Sequence, residues 1–199
     1  MAVIAKHAVL AEAFGSSEGS ALRLRQAALV VLGIAALTLA AKQQVPIWPV
    51  PVTMQTFAVL TIGAAYGQRL GLATLLGYLV IGALGVPVFA GETAGLAYFA
   101  GPTAGYLVGF MAAAALLGAL ARRGWDRSFG SMALALLLGN GVIYAFGLPW
   151  MAYLFLADKG ASWVLQWGMT NFLVGDALKL ALAALLLPAI WKLTGKSGD

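Results

Sequence analysis

The sequence has no cysteine and only one histidine among its 199 residues. Without cysteine the chain forms no disulfide and offers no thiolate to a metal ion. With His7 as its single imidazole, it lacks the side chains for a multi-histidine metal cluster, an HExxH zinc site or a Ser-His dyad within a membrane. These absences exclude an intramembrane protease that uses histidine, and we expect a protein that is not an enzyme and holds no cofactor.

Charge is also scarce, since only 10 % of the residues are charged whereas 62 % are hydrophobic. This balance lies far outside the range of soluble globular domains. A helix needs roughly 20 apolar residues to cross a bilayer, so the length admits about six crossings with short connections. We therefore predict an all-α integral membrane protein, a bundle of six transmembrane helices that crosses the membrane repeatedly.

Three regions are expected: an amino-terminal cytoplasmic segment over residues 1–26, a membrane domain over 27–193 and a cytoplasmic tail over 194–199. The first apolar segment is followed by KQQ without a small-residue cleavage site, so we interpret it as a retained crossing and not a signal peptide. The predicted crossings are residues 27–41, 52–66, 70–84, 104–121, 129–146 and 175–191.

Two stretches between these segments are apolar without being typical crossings. Residues 86–105, VPVFAGETAGLAYFAGPTAG, are too rich in Gly and Pro for a regular helix and too apolar for a solvated loop. We predict that this loop caps the outer face of the bundle. Residues 149–170 are aromatic around the charged pair Asp158 and Lys159, which predicts a position at the outer interface.

The distribution of basic residues predicts the orientation, because positively charged short loops stay in the cytoplasm. With six crossings, Lys42 and Lys159 lie on one face and nine basic residues on the other, which places both termini in the cytoplasm. The nine are Lys6, Arg23, Arg25, Arg69, Arg122, Arg123, Arg127, Lys192 and Lys196.

The net charge of +5 does not predict a nucleic-acid partner, because the basic residues flank the crossings instead of forming a stripe with interleaved aromatics. The expected surroundings are the lipid bilayer. Gly195-Lys196-Ser197 echoes the end of a phosphate-binding loop, but Ile190 occupies the first glycine position. If nucleotide energises transport, another chain must bind it.

Asp176 and Lys179 are the charged residues within a predicted crossing. Three residues apart, they share a helix face near the outer end of the sixth crossing. Ionisable groups in a crossing are costly to bury and mark substrate or ion pathways, although an ion pair that only tethers the helix has the same pattern. We predict an outward-facing pocket for a ligand with N–H donors and a carbonyl.

Further polar residues are expected near this pocket. Asn140 and Tyr144 lie on one face of the fifth crossing, and Gln55 with Thr53 lies at the outer entrance to the second, although each pair is also typical of interhelical hydrogen bonding. Apolar or stacking walls are expected from Trp48, Phe89, Tyr98, Tyr106 and Trp150.

Several ordered motifs resemble one known family. They are PVPVTMQTFAVL, YGQRLGLATLLGYLVIGALGVPVFAG, GPTAGYLVGF, GNGVIYAFGLPWMA and GDALKLALAALLLPA, and the resemblance runs from about residue 45 to residue 188. The chain is thereby similar to the BioY family, the biotin-binding S components of energy-coupling-factor (ECF) vitamin transporters.

The resemblance implies a subunit of the bacterial inner membrane that captures biotin from the outer face. In that family a transmembrane coupling protein and ATPase subunits are the usual partners, and ATP is used by those partners alone. The family's GDxxK motif matches Gly175-Asp176 and Lys179, which implies that this pair binds the ureido ring. Donors for the valerate carboxylate are expected from the loop around Gly91, together with Thr103, Asn140 and Tyr144. The full set of expected substrate-binding residues is Asp176, Lys179, Asn140, Tyr144, Gln55, Gly91, Thr103 and Tyr106.

Glu92 departs from the family pattern, in which the start of this loop is uncharged. A carboxylate there repels the biotin tail unless it faces solvent, pairs with Lys42 or Lys159, or serves a different mode of tail recognition.

Three alternatives stay open from the sequence. An S component for another small vitamin would be revealed by ligand screening, and a self-contained homo-oligomeric facilitator by flux in vesicles that lack partners. A membrane enzyme acting on lipid, with Asp176 or Glu92 as base, is disfavoured because no nucleophile motif accompanies these residues.

Overall fold

The computed structural model describes residues 8–13 and 18–194, which are mostly helical. The predictions for Lys6, His7 and the tail from Gly195 onward lie outside these residues. The elements are α1 Leu10–Ala13, α2 Gly19–Lys42, β1 Gln44–Val45, β2 Val52–Thr53, α3 Gln55–Ala83, a 3-10 helix Leu96–Ala100, α4 Ala104–Ala121, α5 Phe129–Lys159, α6 Ala161–Gly168, a 3-10 helix Thr170–Phe172 and α7 Leu173–Leu193.

Four helical stretches in the described residues are long and apolar enough to cross a membrane, judged by length and composition. They are Gly19–Lys42, Ala104–Ala121, Phe129–Lys159 and Ala161–Leu193. The protein is therefore a helical membrane protein, as the composition predicts.

Gly67 divides α3 into two halves. Its φ of 76° and ψ of 172° are not helical, and a positive φ is a conformation that glycine adopts readily. A Cβ built on Gly71 would lie 3.4 Å from the Cα of Gly63, whereas eight residues of straight helix rise about 12 Å. The halves therefore fold back on each other, and the predicted segments 52–66 and 70–84 correspond to the two arms of one helical hairpin.

The predicted end of the fifth segment at residue 146 is wrong as a helix boundary. Helix α5 continues past Pro149 to Lys159. Proline is tolerated inside such helices because neighbouring helices and polar groups satisfy the freed carbonyl. At 31 residues α5 is about 46 Å long, more than the roughly 30 Å hydrocarbon core, so its last turns extend beyond a bilayer.

The helices run back and forth between two ends of the bundle. At the loop end, the loop over residues 84–103 packs near the end of α2, where the Lys42 ammonium donates to the Gly91 carbonyl at 2.7 Å. At the arginine end, three basic side chains meet around one cavity: Arg25, Arg69 and Arg122.

The loop between α3 and α4 is irregular and covers the bundle, as its composition predicts. Val88, Phe89 and Ala90 are buried, and the Phe89 ring stacks on Tyr98 with centroids 4.3 Å apart. The Tyr78 hydroxyl donates to the Val88 carbonyl at 3.0 Å, which ties this loop to α3. We call this loop, residues 84–103, the lid, because it covers the end of the bundle at which it lies.

A buried carboxylate lies at the arginine end, between α4 and α5. Asp126 is fully buried, and its Oδ2 accepts a hydrogen bond from Trp191 Nε1 at 2.6 Å. The guanidinium carbon of Arg127 lies 4.8 Å from the centroid of the Trp191 ring. Burial raises the pKa of Asp126 to about 6, against the opposing effects of Trp191 and Arg127.

This shift predicts a pH dependence of stability. Between roughly pH 4 and 6 the folded protein binds a proton at Asp126 that the unfolded chain has released, so the free energy of unfolding falls as pH rises through this range. Asp126→Asn keeps an acceptor for Trp191 without the charge. We expect it to be about 2–3 kcal/mol more stable than wild type at pH 8 and similar to wild type near pH 4.

Thermal unfolding in detergent at both pH values measures this difference. The matched control is Asp158→Asn, which changes an exposed carboxylate and is expected to leave the pH dependence intact. An Asp126→Asn protein no more stable than wild type at pH 8 would contradict the expectation.

Candidate ligand-binding site

A buried ion pair forms the centre of the candidate site. Asp176 and Lys179 lie in the first two turns of α7, and Lys179 Nζ is 2.7 Å from Asp176 Oδ1. Asp176 is 4 % exposed and Lys179 7 % exposed. The i, i+3 spacing that the sequence contains thus produces direct contact, as the shared helix face predicts.

Two side chains of α5 complete the environment of the carboxylate. Asn140 Nδ2 donates to Asp176 Oδ2 at 3.2 Å, and the Tyr144 hydroxyl makes a short hydrogen bond to the same oxygen. Asn140 and Tyr144 are four residues apart, so both point from one face of α5 toward α7. On the opposite side, Lys179 Nζ donates to the Thr53 carbonyl of β2 at 3.1 Å.

Gln55 connects this cluster to the lid. Its backbone N–H donates to Thr53 Oγ1 at 3.1 Å, and its Nε2 donates to the Tyr78 hydroxyl at 2.9 Å. Tyr78 in turn binds the Val88 carbonyl of the loop. A continuous chain of hydrogen bonds therefore runs from the start of α3 to the lid.

The cluster leaves three hydrogen-bonding positions unfilled among the described residues. Asn140 Oδ1 is buried and has no hydrogen-bond partner there. An ammonium group has three N–H donors, of which Lys179 uses two. A carboxylate has about four acceptor positions, of which Asp176 uses three. Two acceptors and one donor therefore stay available to a ligand.

These groups line an inner cavity, which shares four lining residues with an outer one. The outer cavity, of about 410 Å³, is lined by residues that include Trp48 and Gly91, and the inner cavity is only about 50 Å³. A small-molecule site typically measures several hundred Å³, so a vitamin-sized ligand requires the residues between the two cavities to move apart. Both cavities are lined by Pro51, Ala90, Tyr98 and Thr103.

The structure brings together most of the residues predicted for the site. Gly91 is the exception, since it lines the outer cavity. The inner cavity is lined by Asp176, Lys179, Asn140, Tyr144, Gln55, Thr103 and Tyr106.

The aromatic residues expected as walls have different positions. Tyr98 and Tyr106 line the inner cavity and Trp48 the outer one. Phe89 is instead fully buried in the core, and Trp150 Nε1 donates to the Gly101 carbonyl at 2.9 Å. Glu92 is exposed, and the Lys42 ammonium binds the neighbouring Gly91 carbonyl.

Sequence reasoning missed several apolar residues of the inner cavity, among them Phe110, Ile143 and Phe172. Each lies three or four residues from a predicted site residue: Phe110 from Tyr106, Ile143 from Asn140 and Phe172 from Asp176. Helical periodicity around the polar residues was the signal that could have found them. Together they give the polar cluster an apolar wall.

Within residues 8–13 and 18–194, no group of three or more His, Asp or Glu side chains is placed to hold a metal ion. The polar cluster itself pairs one carboxylate with one ammonium. Such a site favours a neutral ligand group that both donates and accepts hydrogen bonds.

Comparison with known proteins gives three findings. The chain is 36 % identical over 165 residues to a probable biotin transporter BioY of Pyrococcus horikoshii, covering 83 % of this chain and 95 % of that protein. It is 36 % identical over 149 residues to a biotin transporter BioY of Rhizobium etli, covering 71 % and 78 % of the two chains.

The fold is similar to the crystal structure of the S-component for biotin from an ECF-type ABC transporter. The TM-score is 0.76 at 21 % sequence identity, covering 88 % of this chain and 95 % of that one. A protein-family model described as the BioY family matches residues 14–196, nearly the whole sequence. The chain therefore belongs to the BioY family.

Proposed function

We propose that this protein takes up biotin, capturing it at the outer face of the membrane and delivering it inward without chemistry of its own. The observation that carries the proposal is the unfilled hydrogen-bonding capacity of the buried cluster, two acceptors and one donor. The relatives described as biotin transporters support it independently.

The ureido ring of biotin has two N–H donors and one carbonyl, which matches that capacity group for group. We assign the ring N–H groups to Asn140 Oδ1 and the remaining acceptor position of Asp176. The third N–H of Lys179 then donates to the ring carbonyl. Phe110, Ile143 and the other apolar lining residues support the hydrophobic remainder of the bicyclic ring.

The valerate tail then extends toward the outer cavity. Gly91 lies there, and Thr103 lines both cavities, so these two stay our candidates for the carboxylate. Asn140 and Tyr144 contact Asp176 at the inner end, so we assign them to the ring and not to the tail. The exposed position of Glu92 removes the repulsion that a carboxylate inside the cavity would cause.

We further propose six crossings with both termini in the cytoplasm of a bacterial inner membrane. Four come from the long apolar stretches and two from the arms of the α3 hairpin. The gathering of Arg25, Arg69 and Arg122 at one end supports this orientation, because basic residues favour the cytoplasmic side.

A transmembrane coupling protein and ATPase subunits are the proposed partners, and they use the ATP. The alternative is a homo-oligomeric facilitator that works without them. Biotin flux into vesicles that contain only this chain distinguishes the two arrangements.

Calorimetric titration of the detergent-purified chain tests the substrate. We expect one-to-one binding of biotin and no heat of binding from thiamine or riboflavin at the same concentrations. Selective binding of either control vitamin to a folded sample would overturn the biotin assignment and favour an S component for that vitamin.

A further inference from the structure

The cavity at the arginine end of the bundle has no part in the proposed biotin site. Its volume is about 400 Å³, and it is bounded by α1, the amino-terminal part of α2, the turn of α3 and the end of α4. Arg122 follows Tyr106 of the biotin site by 16 residues along α4, a rise of about 24 Å. That distance is close to the thickness of a membrane's hydrocarbon core.

The lining of this cavity is strongly basic. It contains three guanidinium groups, from Arg25, Arg69 and Arg122, against one carboxylate, from Glu12. Glu12 is engaged by Arg122 in a two-pronged ion pair, with N–O distances of 2.7 and 3.2 Å. By count, the lining therefore has more guanidinium groups than carboxylates, and a guanidinium group has the forked donor geometry that suits phosphate oxygens.

The lining of the cavity also contains apolar side chains. These side chains are Leu29, Leu70 and Ala73. Helix α2 continues beyond Leu29, and its side chains Val31 and Leu32 are 65 % and 62 % exposed. Tyr66 and Gln26 complete the lining. A basic cavity next to an exposed apolar helix suits a ligand that has both a phosphate group and acyl chains.

We propose that this cavity binds the headgroup of an anionic phospholipid. The phosphate lies among the guanidinium groups of Arg25, Arg69 and Arg122, and the acyl chains follow the exposed face of α2. Basic pockets between membrane helices bind anionic headgroups by the same combination of charge and position. Glu12 orients Arg122 toward the cavity and limits the total positive charge.

Native mass spectrometry of the full chain in detergent tests the proposal. Equimolar phosphatidylglycerol and phosphatidylcholine are added, and bound lipid is counted as mass adducts. We expect wild type to retain phosphatidylglycerol at least five-fold over phosphatidylcholine. Arg69→Gln, which changes an exposed cavity residue, is expected to reduce that preference to below two-fold.

The matched control is Arg123→Gln, which removes the same charge from an exposed residue next to Arg122 that does not line the cavity. It is expected to keep the five-fold preference. Equal loss in both variants would show a general effect of charge and overturn the cavity assignment, as would a wild type without preference.

Competition with inorganic phosphate tests whether the cavity binds the phosphate of a lipid or a soluble phosphate. At millimolar concentration it is expected to leave the phosphatidylglycerol adducts in place, because it lacks the acyl contacts. Full displacement would overturn the lipid assignment in favour of a soluble phosphate. Unchanged biotin affinity in both variants verifies their folding, so failure here is distinguishable from failure of the proposed uptake function.

Discussion

Asp176→Asn is expected to weaken biotin binding by about 1–3 kcal/mol, a roughly five- to 150-fold rise in Kd. The carboxylate accepts hydrogen bonds from Lys179, Asn140 and Tyr144 at once. The amide removes the charge that balances Lys179 and reorders every donor around the proposed ureido position. Lys179→Met is expected to weaken binding similarly, and calorimetric titration measures both.

Folding must be separated from binding in these variants, because breaking a buried pair by removing one partner costs about 3–5 kcal/mol of stability. The double variant Asp176→Asn/Lys179→Met removes both charges together. We expect it to recover most of the thermal stability lost in the single variants while binding no better than they do. If the folded double variant binds biotin as wild type does, the pair is a structural tether and the site assignment is wrong.

Gly118→Ala is expected to destabilise the fold by about 3 kcal/mol, near the upper end of the usual cost of overpacking. A Cβ at this position would lie 2.2 Å from Gln68 N and 2.5 Å from Gly67 C, both backbone atoms of the α3 turn. A flexible side chain can move aside, whereas this turn is fixed by its position between two helices. The substitution therefore forces α4 away from the α3 hairpin.

Gly141→Ala is the matched control, because a Cβ on this α5 glycine meets nothing within 4 Å. Alanine favours helix over glycine by up to about 1 kcal/mol, so we expect this variant to equal or exceed wild type in stability. Thermal unfolding of both variants in the same detergent gives the comparison. A Gly118→Ala protein that unfolds at the wild-type temperature would contradict the close contact between α4 and the turn.

The sequence predicted best those features that depend on local pattern. The fourth segment, residues 104–121, has the bounds of α4, and the Asp176–Lys179 pair follows from spacing on one helix. The fifth segment was predicted to end at residue 146, whereas α5 continues to Lys159. Helix α2 begins at Gly19, whereas the first predicted crossing begins at residue 27, because hydropathy marks where lipid begins whereas helix formation depends on the backbone.

The contacts that the sequence could not predict join different elements. Asn140 and Tyr144 were expected on one face of a helix, but their shared partner Asp176 depends on how α5 packs against α7. The Lys179 ammonium donates to the backbone carbonyl of Thr53. Because each residue has a backbone carbonyl, the sequence does not indicate which one is the partner. The buried contact of Asp126 with Trp191 spans 65 residues and was missed for the same reason.

Uptake of radiolabelled biotin by cells that lack their own biotin transporter tests the central claim most directly. We expect cells that express this chain with its coupling and ATPase subunits to accumulate biotin above vector controls. Excess unlabelled biotin should abolish the signal, thiamine should not, and the Asp176→Asn/Lys179→Met protein should accumulate less biotin than wild type. Absence of accumulation, with the wild-type protein present in the membrane both alone and with those subunits, would contradict biotin uptake as its function.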